Sequence, residues 1–306
     1  MNCFLILNPR SKSGKSARLH GYIISALEKT GTKFDYSYVV SFDSIRRQSV
    51  YANRNGYDRI IAVGGDGTIN AVISGFYDHI GKRISQANMG VIYTGTSPDF
   101  CKSYGIPLKI DEAVNVCLQG KARKIRIGKI ELRNRKDEDE TRFFACCANI
   151  GIGATIARIA NSNRKYLGDS AGTLSAVLTS LLNYKSEPVS ITADGVSVNH
   201  NNLLNIFIGR TKYIASGIKM DQGMADEDEG FYSLVVSKPG LMQIPSLLNQ
   251  VYTGKFRGSG YLQKSYGKVF ALKAEQKTEV EFDGDPAGYL PCQIELASDQ
   301  LDLLVK

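Results

Sequence analysis

The segment Arg59–Thr68 combines residue types that suit phosphate chemistry, because the hydrophobic run RIIAV opens directly into GGDGT. Glycines let backbone N–H groups approach an anion closely, and the start of a following helix adds further donors and the positive end of its dipole. Asp66 is the unusual member, because a carboxylate among such donors is electrostatically costly unless it holds Mg²⁺ or takes a proton from an attacking hydroxyl. The segment predicts a phosphate site, with a simple turn rich in Gly and Asp as the alternative.

A second polar loop, Asn8–Ser16, follows the first apolar run of the chain. It approaches the Walker A pattern G-x-x-x-x-G-K-[ST], with Gly14-Lys15-Ser16 in place but Pro9 at the first glycine position. Proline lacks the N–H group and holds φ at about −65°, so the usual phosphate cradle of that NTPase class is not expected. The loop can still bring Lys12 to a nucleotide at the carboxyl edge of a parallel sheet.

A third polar loop, Tyr93–Phe100, reads YTGTSPDF and also follows a strand-like run. Taken alone, it fits either a ligand loop or a turn that contains a proline. The carboxyl ends of neighbouring parallel strands meet at one edge of a sheet, which is where open α/β folds bind ligands. Three polar loops at such an edge together predict a nucleotide site.

Two acidic segments lie in the second half of the chain. Glu279–Pro286 reads EVEFDGDP, a strand that ends in acidic residues, and its Asp-Gly pair equally fits a simple hairpin turn. Asp226–Phe231 reads DEDEGF and fits either a solvated turn or a cation site built from oxygen ligands. The spacing alone leaves both alternatives open.

The composition is that of an ordinary globular protein, with 43% hydrophobic and 22% charged residues, and 306 residues suffice for two domains. The formal net charge of +8 favours an anionic partner. One basic cluster fits either a solvated strand face and loop or a membrane-docking surface. Its members are Lys121, Arg123, Lys124, Arg126, Lys129, Arg133, Arg135 and Lys136. Nucleic acid is not expected as a partner, because no zinc-finger spacing, basic zipper or interleaved aromatic pattern accompanies the charge.

The six cysteines show neither C-x-x-C spacing nor histidines placed to complete a metal site, which favours a reduced, cytoplasmic protein. We expect the adjacent Cys146 and Cys147 to be buried packing residues. No stretch approaches the roughly 18 apolar residues of a membrane span, so any membrane contact is expected to be peripheral.

The elements that must position the three loops alternate between strand and helix over the first 120 residues, which predicts a parallel sheet covered on both faces by helices. The predicted strands are Phe4–Leu7, Phe34–Val40, Arg59–Val63 and Met89–Tyr93. The predicted helices are Ser16–Lys29, Ile45–Asn53, Ile69–Phe76 and Asp111–Leu118.

The pattern changes near Gly120 to short strands, which predicts a β-sandwich. The predicted strands are Arg123–Leu132, Arg142–Asn149, Val189–Thr192, Leu203–Ile208, Phe231–Val236, Val269–Lys273, Glu279–Phe282 and Gln293–Leu296. Helical spacing at 174–182 and 244–251 indicates core-facing helices or the walls of an acyl-chain pocket. The predicted fold class is α/β. A doubly wound parallel-sheet nucleotide-binding domain is predicted at 1–121, followed by a β-sandwich domain with inserted helices at 122–306. The sequence is compatible with a C-terminal segment that packs back on the first domain.

In this order, the segments resemble the diacylglycerol kinase catalytic family, which includes bacterial lipid kinases and sphingosine kinases and is related in fold to NAD kinases. That family carries an N-P-x-S-G-x-G-like loop, then G-G-D-G-T-x-N-E, G-T-x-N-D-F and finally D-G-E. The corresponding residues here are Asn8-Pro9 with Ser13-Gly14, Gly64–Asn70, Gly95-Thr96 with Asp99-Phe100, and Asp283-Gly284-Asp285. The segment Asn149–Gly153 also resembles the family's N-x-G-x-G turn, so the resemblance spans nearly the whole chain.

The resemblance implies roles for particular residues. Asp285 would replace the family's proton-accepting glutamate, and Asp66 and Asp99 would organise Mg²⁺ and its waters. The residues implied to bind ATP are Asn8, Pro9, Arg10, Ser11, Lys12, Gly64, Gly65, Asp66, Gly67, Thr68, Ile69, Asn70 and Thr96. The residues implied to hold a structural Mg²⁺ are Asp226, Glu229 and Phe231.

Four positions depart from the family pattern. Ala71 stands where the family often has glutamate, Pro98 replaces an asparagine, Asp285 is one methylene shorter than glutamate, and Glu229 replaces aspartate. A carboxylate misplaced by about an ångström can cost about a hundredfold in rate. Pro98 removes both an amide side chain and a backbone donor.

The resemblance implies transfer of the γ-phosphoryl group of ATP to the hydroxyl of diacylglycerol or a related lipid. The expected partners are a lipid substrate and, by peripheral contact, the inner face of the membrane, and the sequence is compatible with a homo-oligomer. Two alternatives stay open: a kinase for a soluble hydroxyl acceptor, as in NAD kinases, and a nucleotide-binding regulator weakened in catalysis by Ala71, Pro98 and Asp285.

Overall fold

The computed structural model describes two compact units. The described residues are 1–11, 17–153, 155–156, 159, 175–177, 179–181, 183–186, 188–215, 217–220, 223–256, 260–282 and 285–306. Unit 1 comprises Met1–Ile127 and Ala297–Lys306, and unit 2 comprises Gly128–Leu296. From the predicted helical stretch at 174–182, Leu174, Leu178 and Leu182 lie outside the described residues.

The strands and helices are numbered in chain order. The strands are β1 Asn2–Leu7, β2 Lys33–Tyr38, β3 Arg59–Gly64, β4 Asn88–Tyr93, β5 Lys121–Ile125, β6 Gly128–Asn134, β7 Asp139–Phe144, β8 Cys147–Gly151, β9 Val189–Ala193, β10 Val196–His200, β11 Leu203–Gly209, β12 Tyr213–Ile214, β13 Ile218–Lys219, β14 Phe231–Ser237, β15 Leu262–Gly267, β16 Phe270–Ala274, β17 Glu279–Phe282, β18 Asp285–Leu296 and β19 Leu301–Val305. The helices are α1 Ala17–Glu28, α2 Phe42–Arg54, α3 Asp66–Ser74, α4 Asp99–Tyr104, α5 Ile110–Gln119 and α6 Ile244–Thr253.

Unit 1 contains a six-stranded sheet in the order β2-β1-β3-β4-β19-β5. All neighbouring strands in it pair in parallel except β5, which runs antiparallel to β19. The central strands β1, β3 and β4 are nearly continuous apolar runs and are almost entirely buried, as a sheet covered on both faces requires. Unit 1 has the predicted α/β architecture with an N-terminal parallel sheet.

Neighbouring residues of β1 serve the two faces of this sheet. Leu5 belongs to a buried cluster with Ile23 of α1 and Ala113 of α5. The adjacent Phe4 faces the other way, with its ring centroid 5.9 Å from that of Tyr51 in α2. Since side chains alternate across a strand, α1 and α5 cover one face and α2 covers the other.

Unit 2 is the predicted β-sandwich domain, built from antiparallel strands. Its main path runs β10-β9-β16-β18-β17-β8-β11-β14-β15, and β6 pairs with both β18 and β7. The rings of Phe144, Phe231 and Phe282 stack in its core, with centroids 6.0 and 6.2 Å apart. This apolar core holds the strands together.

The structure places the division between units after Ile127 rather than after Lys121, because β5 pairs with β19 in the sheet of unit 1. The predicted single strand Arg123–Leu132 is therefore wrong: the chain passes from β5 to β6, which pairs in the sheet of unit 2. The predicted strand Arg142–Asn149 is likewise two strands, because β7 pairs with β6 whereas β8 pairs with β11 and β17.

All six cysteine side chains are buried thiols, including Cys146 and Cys147. The basic residues of β5 lie exposed on the edge of the unit 1 sheet, from Lys121 to Lys124. Within the described part of the chain, no helix is long and apolar enough to cross a membrane.

Candidate functional site

The three predicted loops meet at one edge of the unit 1 sheet. They follow β1, β3 and β4, which are neighbours and run parallel. The backbone already joins them, because the N–H of Asn8 donates to the carbonyl of Val63 at 3.0 Å and the N–H of Thr94 donates to the carbonyl of Gly64 at 2.8 Å. The strand order thus brings the three loops together, as the sequence predicts.

Side chains strengthen these connections. The Asn8 side-chain amide donates to Thr68 Oγ1 at 2.9 Å, which ties the first loop to α3. The hydroxyl of Ser11 donates to the carbonyl of Thr94 at 3.2 Å, which ties the first loop to the third. Asn8 also accepts the N–H of Arg10 at 3.0 Å through its side-chain oxygen, so the loop is folded back on itself. The described part of this loop is therefore ordered by contacts that involve all three segments.

The glycines of the site serve two different purposes. A Cβ added to Gly95 would lie 2.5 Å from the Cα of Gly65, so the two loops touch backbone to backbone. A Cβ added to Gly67, in contrast, would meet no atom of the described residues within 4 Å. Packing thus explains the glycine at position 95, whereas Gly67 leaves open space beside the first turn of α3.

That open space lies where an anion is favoured. The residue before α3 is Gly65, which has no side chain to cap the helix. The N–H of Gly67 belongs to the first turn, where helix geometry supplies no acceptor, and the helix dipole is positive there. The second loop and the start of α3 therefore offer backbone donors and space to a phosphate group.

Two carboxylates gather beside Tyr93 at the end of β4. The hydroxyl of Tyr93 donates to Asp66 Oδ2 at 3.3 Å. Burial raises the pKa of Tyr93, and the negative charges of Asp66 and Asp99 raise it further. Burial and the charge of Asp66 also raise the pKa of the Cys101 thiol. Asp66 and Asp99 therefore share one electrostatic neighbourhood, in which Tyr93 and Cys101 stay neutral.

This donor set fits Mg²⁺ in the company of a nucleotide. Mg²⁺ in such sites is held by one or two carboxylates together with substrate phosphates and waters. Asp66 lies in the first turn of α3 and Asp99 in the first turn of α4. Both are thus placed at the starts of helices that follow neighbouring strands.

The other residues implied to bind ATP fall into three groups. Thr68, Ile69 and Asn70 are buried, and the N–H groups of Thr68 and Ile69 donate to the carbonyl of Gly65 at 2.9 and 3.0 Å. The structure thus gives Ile69 a packing role. Arg10 and Thr96 are exposed at the edge of the site. Lys12 lies outside the described residues.

The departures from the family pattern have distinct places. Ala71 is fully buried within α3. Pro98 precedes α4, and its carbonyl accepts the N–H of Lys102 at 2.9 Å, so it begins the helix that carries Asp99. The backbone of Asp285 begins β18 and pairs with Phe282, whereas Asp283 and Gly284 lie outside the described residues.

The segment that resembles the N-x-G-x-G turn lies at the end of β8. Gly151 has a φ of +114°, which favours glycine, and the N–H of Gly153 donates to Asn205 Oδ1 at 2.9 Å. The Asn149 amide donates to the buried carboxylate of Glu281 in β17 at 2.9 Å. The turn is thus anchored to the strand that leads to Asp285.

Two cationic side chains of the protein contact the segment Asp226–Phe231, for which a structural metal ion is predicted. The guanidinium of buried Arg210 donates to the carbonyls of Ala225 and Gly230, at 2.8 Å for Ala225. Glu229 forms an exposed ion pair with Lys268, with 3.1 Å between Oε2 and Nζ. Among the described residues, no three acidic, histidine or cysteine side chains are grouped closely enough to hold a metal ion. A Mg²⁺ at Asp226, Glu229 and Phe231 stays a prediction.

Sequence reasoning missed Tyr93 as a member of the site. The sequence places it at the start of the third loop, but a tyrosine at the end of a strand usually signals packing. The signal that identifies it, the hydrogen bond to Asp66, depends on the pairing of β3 with β4 and is visible only in the structure.

The parallel sheet, the β-sandwich and the three converging loops define a protein of the class that contains diacylglycerol kinases and NAD kinases. The family model of the diacylglycerol kinase catalytic domain matches residues 2–130, and the model of the YegS C-terminal NAD kinase beta sandwich-like domain matches residues 147–305. The chain belongs to the diacylglycerol kinase family defined by this pair of domains.

Known relatives agree with this assignment. A diacylglycerol kinase of Staphylococcus aureus is 26% identical over 293 residues, which cover 94% of this chain and 87% of that protein. The crystal structure of a diacylglycerol kinase from Bacillus anthracis str. Sterne superposes with a TM-score of 0.70 at 20% identity, covering 100% of this chain and 97% of that one. Yeast NADH kinase superposes with a TM-score of 0.51 at 10% identity, covering 100% of this chain and 84% of that one. At these identities the two structures show a shared fold.

Proposed function

We propose that this protein transfers the γ-phosphoryl group of ATP to the hydroxyl of diacylglycerol or a related lipid. The observation that carries the proposal is the meeting of three loops at one sheet edge, with Asp66 and Asp99 gathered beside Tyr93. Phosphoryl transfer requires positioning and charge neutralisation more than covalent chemistry. A rigid edge with backbone donors and paired carboxylates suits that requirement.

Unit 1 would hold the phosphates of ATP. The first turn of α3, with open space at Gly67, offers backbone donors to them, and Ser11 and Asn8 keep the first loop against the other two. Asp66 and Asp99 would hold Mg²⁺. When bound, Mg²⁺ would neutralise charge on the phosphate oxygens.

Asp285 would accept the proton of the lipid hydroxyl, as the family resemblance implies. Its backbone begins β18, which pairs antiparallel with β17. Its side chain is one methylene shorter than the glutamate of the family, so a water or a small backbone shift would complete the contact. Substitution of Asp285 therefore tests the part of the proposal that concerns the lipid hydroxyl.

We also propose that the protein reaches its lipid by peripheral contact with an anionic membrane. The basic residues of β5 are exposed from Lys121 to Lys124. Each basic residue close to an anionic surface contributes about 1 kcal/mol of attraction. The formal net charge of +8 acts in the same direction.

The proposal is tested by incubating the protein with γ-labelled ATP, Mg²⁺ and vesicles that contain diacylglycerol, then separating organic from aqueous products. We expect label in the organic phase. Asp66→Asn and Asp285→Asn should each abolish most of the transfer, whereas Asp228→Asn, a matched change in the exposed turn of unit 2, should not. Full lipid phosphorylation by both site variants would contradict the mechanism.

The same separation distinguishes the alternative acceptor. Label that accumulates in an aqueous product other than inorganic phosphate would identify a kinase for a soluble hydroxyl compound. Binding of ATP without transfer to any lipid would identify a nucleotide-binding regulator.

A further inference from the structure

Tyr93 occupies a position that couples two of the three loops. It is the last residue of β4, its side chain is only 9% exposed, and its hydroxyl donates to Asp66 Oδ2 at 3.3 Å. Asp66 itself begins α3, on the neighbouring loop. A single phenol thus reaches from the third loop to the carboxylate of the second.

The hydroxyl also lies beneath the contact of the two loops. A Cβ added to Gly95 would lie 2.6 Å from the Tyr93 oxygen and 2.5 Å from the Cα of Gly65. Since the backbones touch there, the phenol has little room to move. The place of the hydroxyl beside Asp66 is therefore fixed by packing.

The phenol stays a hydrogen-bond donor. A tyrosine hydroxyl is protonated at neutral pH, so the ring does not add a third negative charge. A neutral donor beside two carboxylates can orient one of them without neutralising it.

We propose that Tyr93 is a positioning residue for Asp66: its hydroxyl holds the carboxylate in the orientation from which Asp66 engages Mg²⁺ and the nucleotide phosphates. The proposal rests on the proposed nucleotide-dependent function and adds to it the strand-end residue at which the third loop begins. It predicts that the hydroxyl matters only as long as Asp66 is present.

The test compares Tyr93→Phe, which keeps the ring and removes the hydroxyl, with Tyr77→Phe as a matched control. Tyr77 is buried in unit 1 and follows the C-terminal end of α3. Its hydroxyl donates at 3.2 Å to the carbonyl of Asp299, a residue that is distant in sequence from the phosphate loops. Calorimetry with a non-hydrolysable ATP analogue measures affinity with Mg²⁺ and with EDTA. We expect Tyr93→Phe to weaken binding about tenfold in Mg²⁺, the size of one charged hydrogen bond, and to leave binding in EDTA unchanged. Tyr77→Phe should alter neither affinity.

Turnover provides a second readout. In Tyr93→Phe we expect a kcat about tenfold lower and an unchanged KM for the lipid, because the role proposed for Asp66 is toward Mg²⁺ and not toward the lipid. Equal losses of affinity in Mg²⁺ and EDTA would indicate general damage to the loops and overturn the proposal. Wild-type values in both conditions would overturn it as well.

A double-mutant cycle tests whether the effect passes through Asp66. In an Asp66→Ala background, Tyr93→Phe should have no further effect on affinity in Mg²⁺. The same tenfold loss in that background would contradict the proposal. Because the cycle is measured by binding, a wild-type protein that binds the analogue but phosphorylates no lipid would refute the proposed function, while the cycle still decides the role of Tyr93.

Discussion

The segment Gly64–Thr68 in unit 1 and the segment Asp226–Phe231 in unit 2 both combine glycine with acidic residues, yet their charges are balanced in different ways. In unit 1, Asp66 receives a hydrogen bond from the neutral hydroxyl of Tyr93 and has Asp99 for a neighbour. Two carboxylates are thus brought together, and a site of this kind favours a bound cation.

In unit 2 two cationic side chains of the protein contact the acidic segment. Arg210 donates to the carbonyls of Gly230 and of the preceding Ala225, and Lys268 pairs with Glu229. The comparison teaches that the composition of an acidic turn does not decide whether it is a ligand site. Whether such a turn binds a ligand depends on which side chains of the surrounding strands contact it.

The largest expected effect distinguishes the two segments by activity. Asp66→Asn should lower kcat about 10²- to 10³-fold, because it removes charge that the transfer step requires. Asp228→Asn, which weakens only the contact with the N–H of Ala225, should leave kcat within about twofold. Initial rates of label transfer to diacylglycerol measure both. Equal losses in the two variants would erase the difference between the segments.

The next effect distinguishes them by stability. Arg210→Met should lower the free energy of unfolding by about 3 kcal/mol, because it leaves the buried carbonyl of Gly230 and the partly buried carbonyl of Ala225 without their charged donor. Lys268→Met removes an exposed ion pair and should change it by less than about 1 kcal/mol. Urea denaturation measures both values. If Arg210→Met costs no more than Lys268→Met, the acidic turn is not held by Arg210.

The smallest effect concerns the open space at Gly67. Gly67→Ala places a methyl group where, in the part of the chain that the structure describes, no atom lies within 4 Å, so stability should not fall and could rise by up to about 1 kcal/mol through helix propensity. Affinity for ATP should fall about tenfold, because the methyl group displaces a phosphate from the start of α3. Calorimetry and thermal unfolding on the same sample separate the two effects. Unchanged affinity would place the phosphates elsewhere.

Gly95→Ala is the same substitution at the tightly packed glycine of the site, and it should have a different effect. Its Cβ would lie 2.5 Å from the Cα of Gly65, so the two loops must move apart. We expect it to lower both stability and affinity, in contrast to Gly67→Ala. A stable Gly95→Ala protein with normal affinity would show that the contact between the loops is not required.

The architecture of unit 1 was predictable because its signals are strong. Apolar runs such as Arg59–Val63 end in glycine or polar loops, and parallel strands must bring those ends to one edge. The meeting of Asn8, Gly65 and Thr94 follows from that rule. Helix and strand ends shifted by only a few residues.

The rest depended on contacts between distant parts of the chain. The split of Arg123–Leu132 into β5 and β6 was not predictable, because both halves are strand-like and only their partners differ. The strand β10 reads VSVNH and is largely exposed, so no buried pattern marks it. The strand β19 joins the sheet of unit 1 from the far end of the chain, next to β4 and β5.

The candidate site shows the same division. The loops were found from glycine and proline chemistry, whereas the roles of Tyr93 and Arg210 arise from side chains that meet across strands. Neither residue lies in a motif. An isolated tyrosine or arginine beside apolar residues predicts packing, and only its partner reveals a further role.

The most direct test of the central claim is to incubate the protein with γ-labelled ATP, Mg²⁺ and a total lipid extract, and to identify every labelled species by mass. We expect the wild type to form a phosphorylated lipid of the diacylglycerol type, and we expect its amount to fall about 10²- to 10³-fold in Asp66→Asn. The absence of any labelled lipid, or an unchanged labelled lipid in Asp66→Asn, would contradict it.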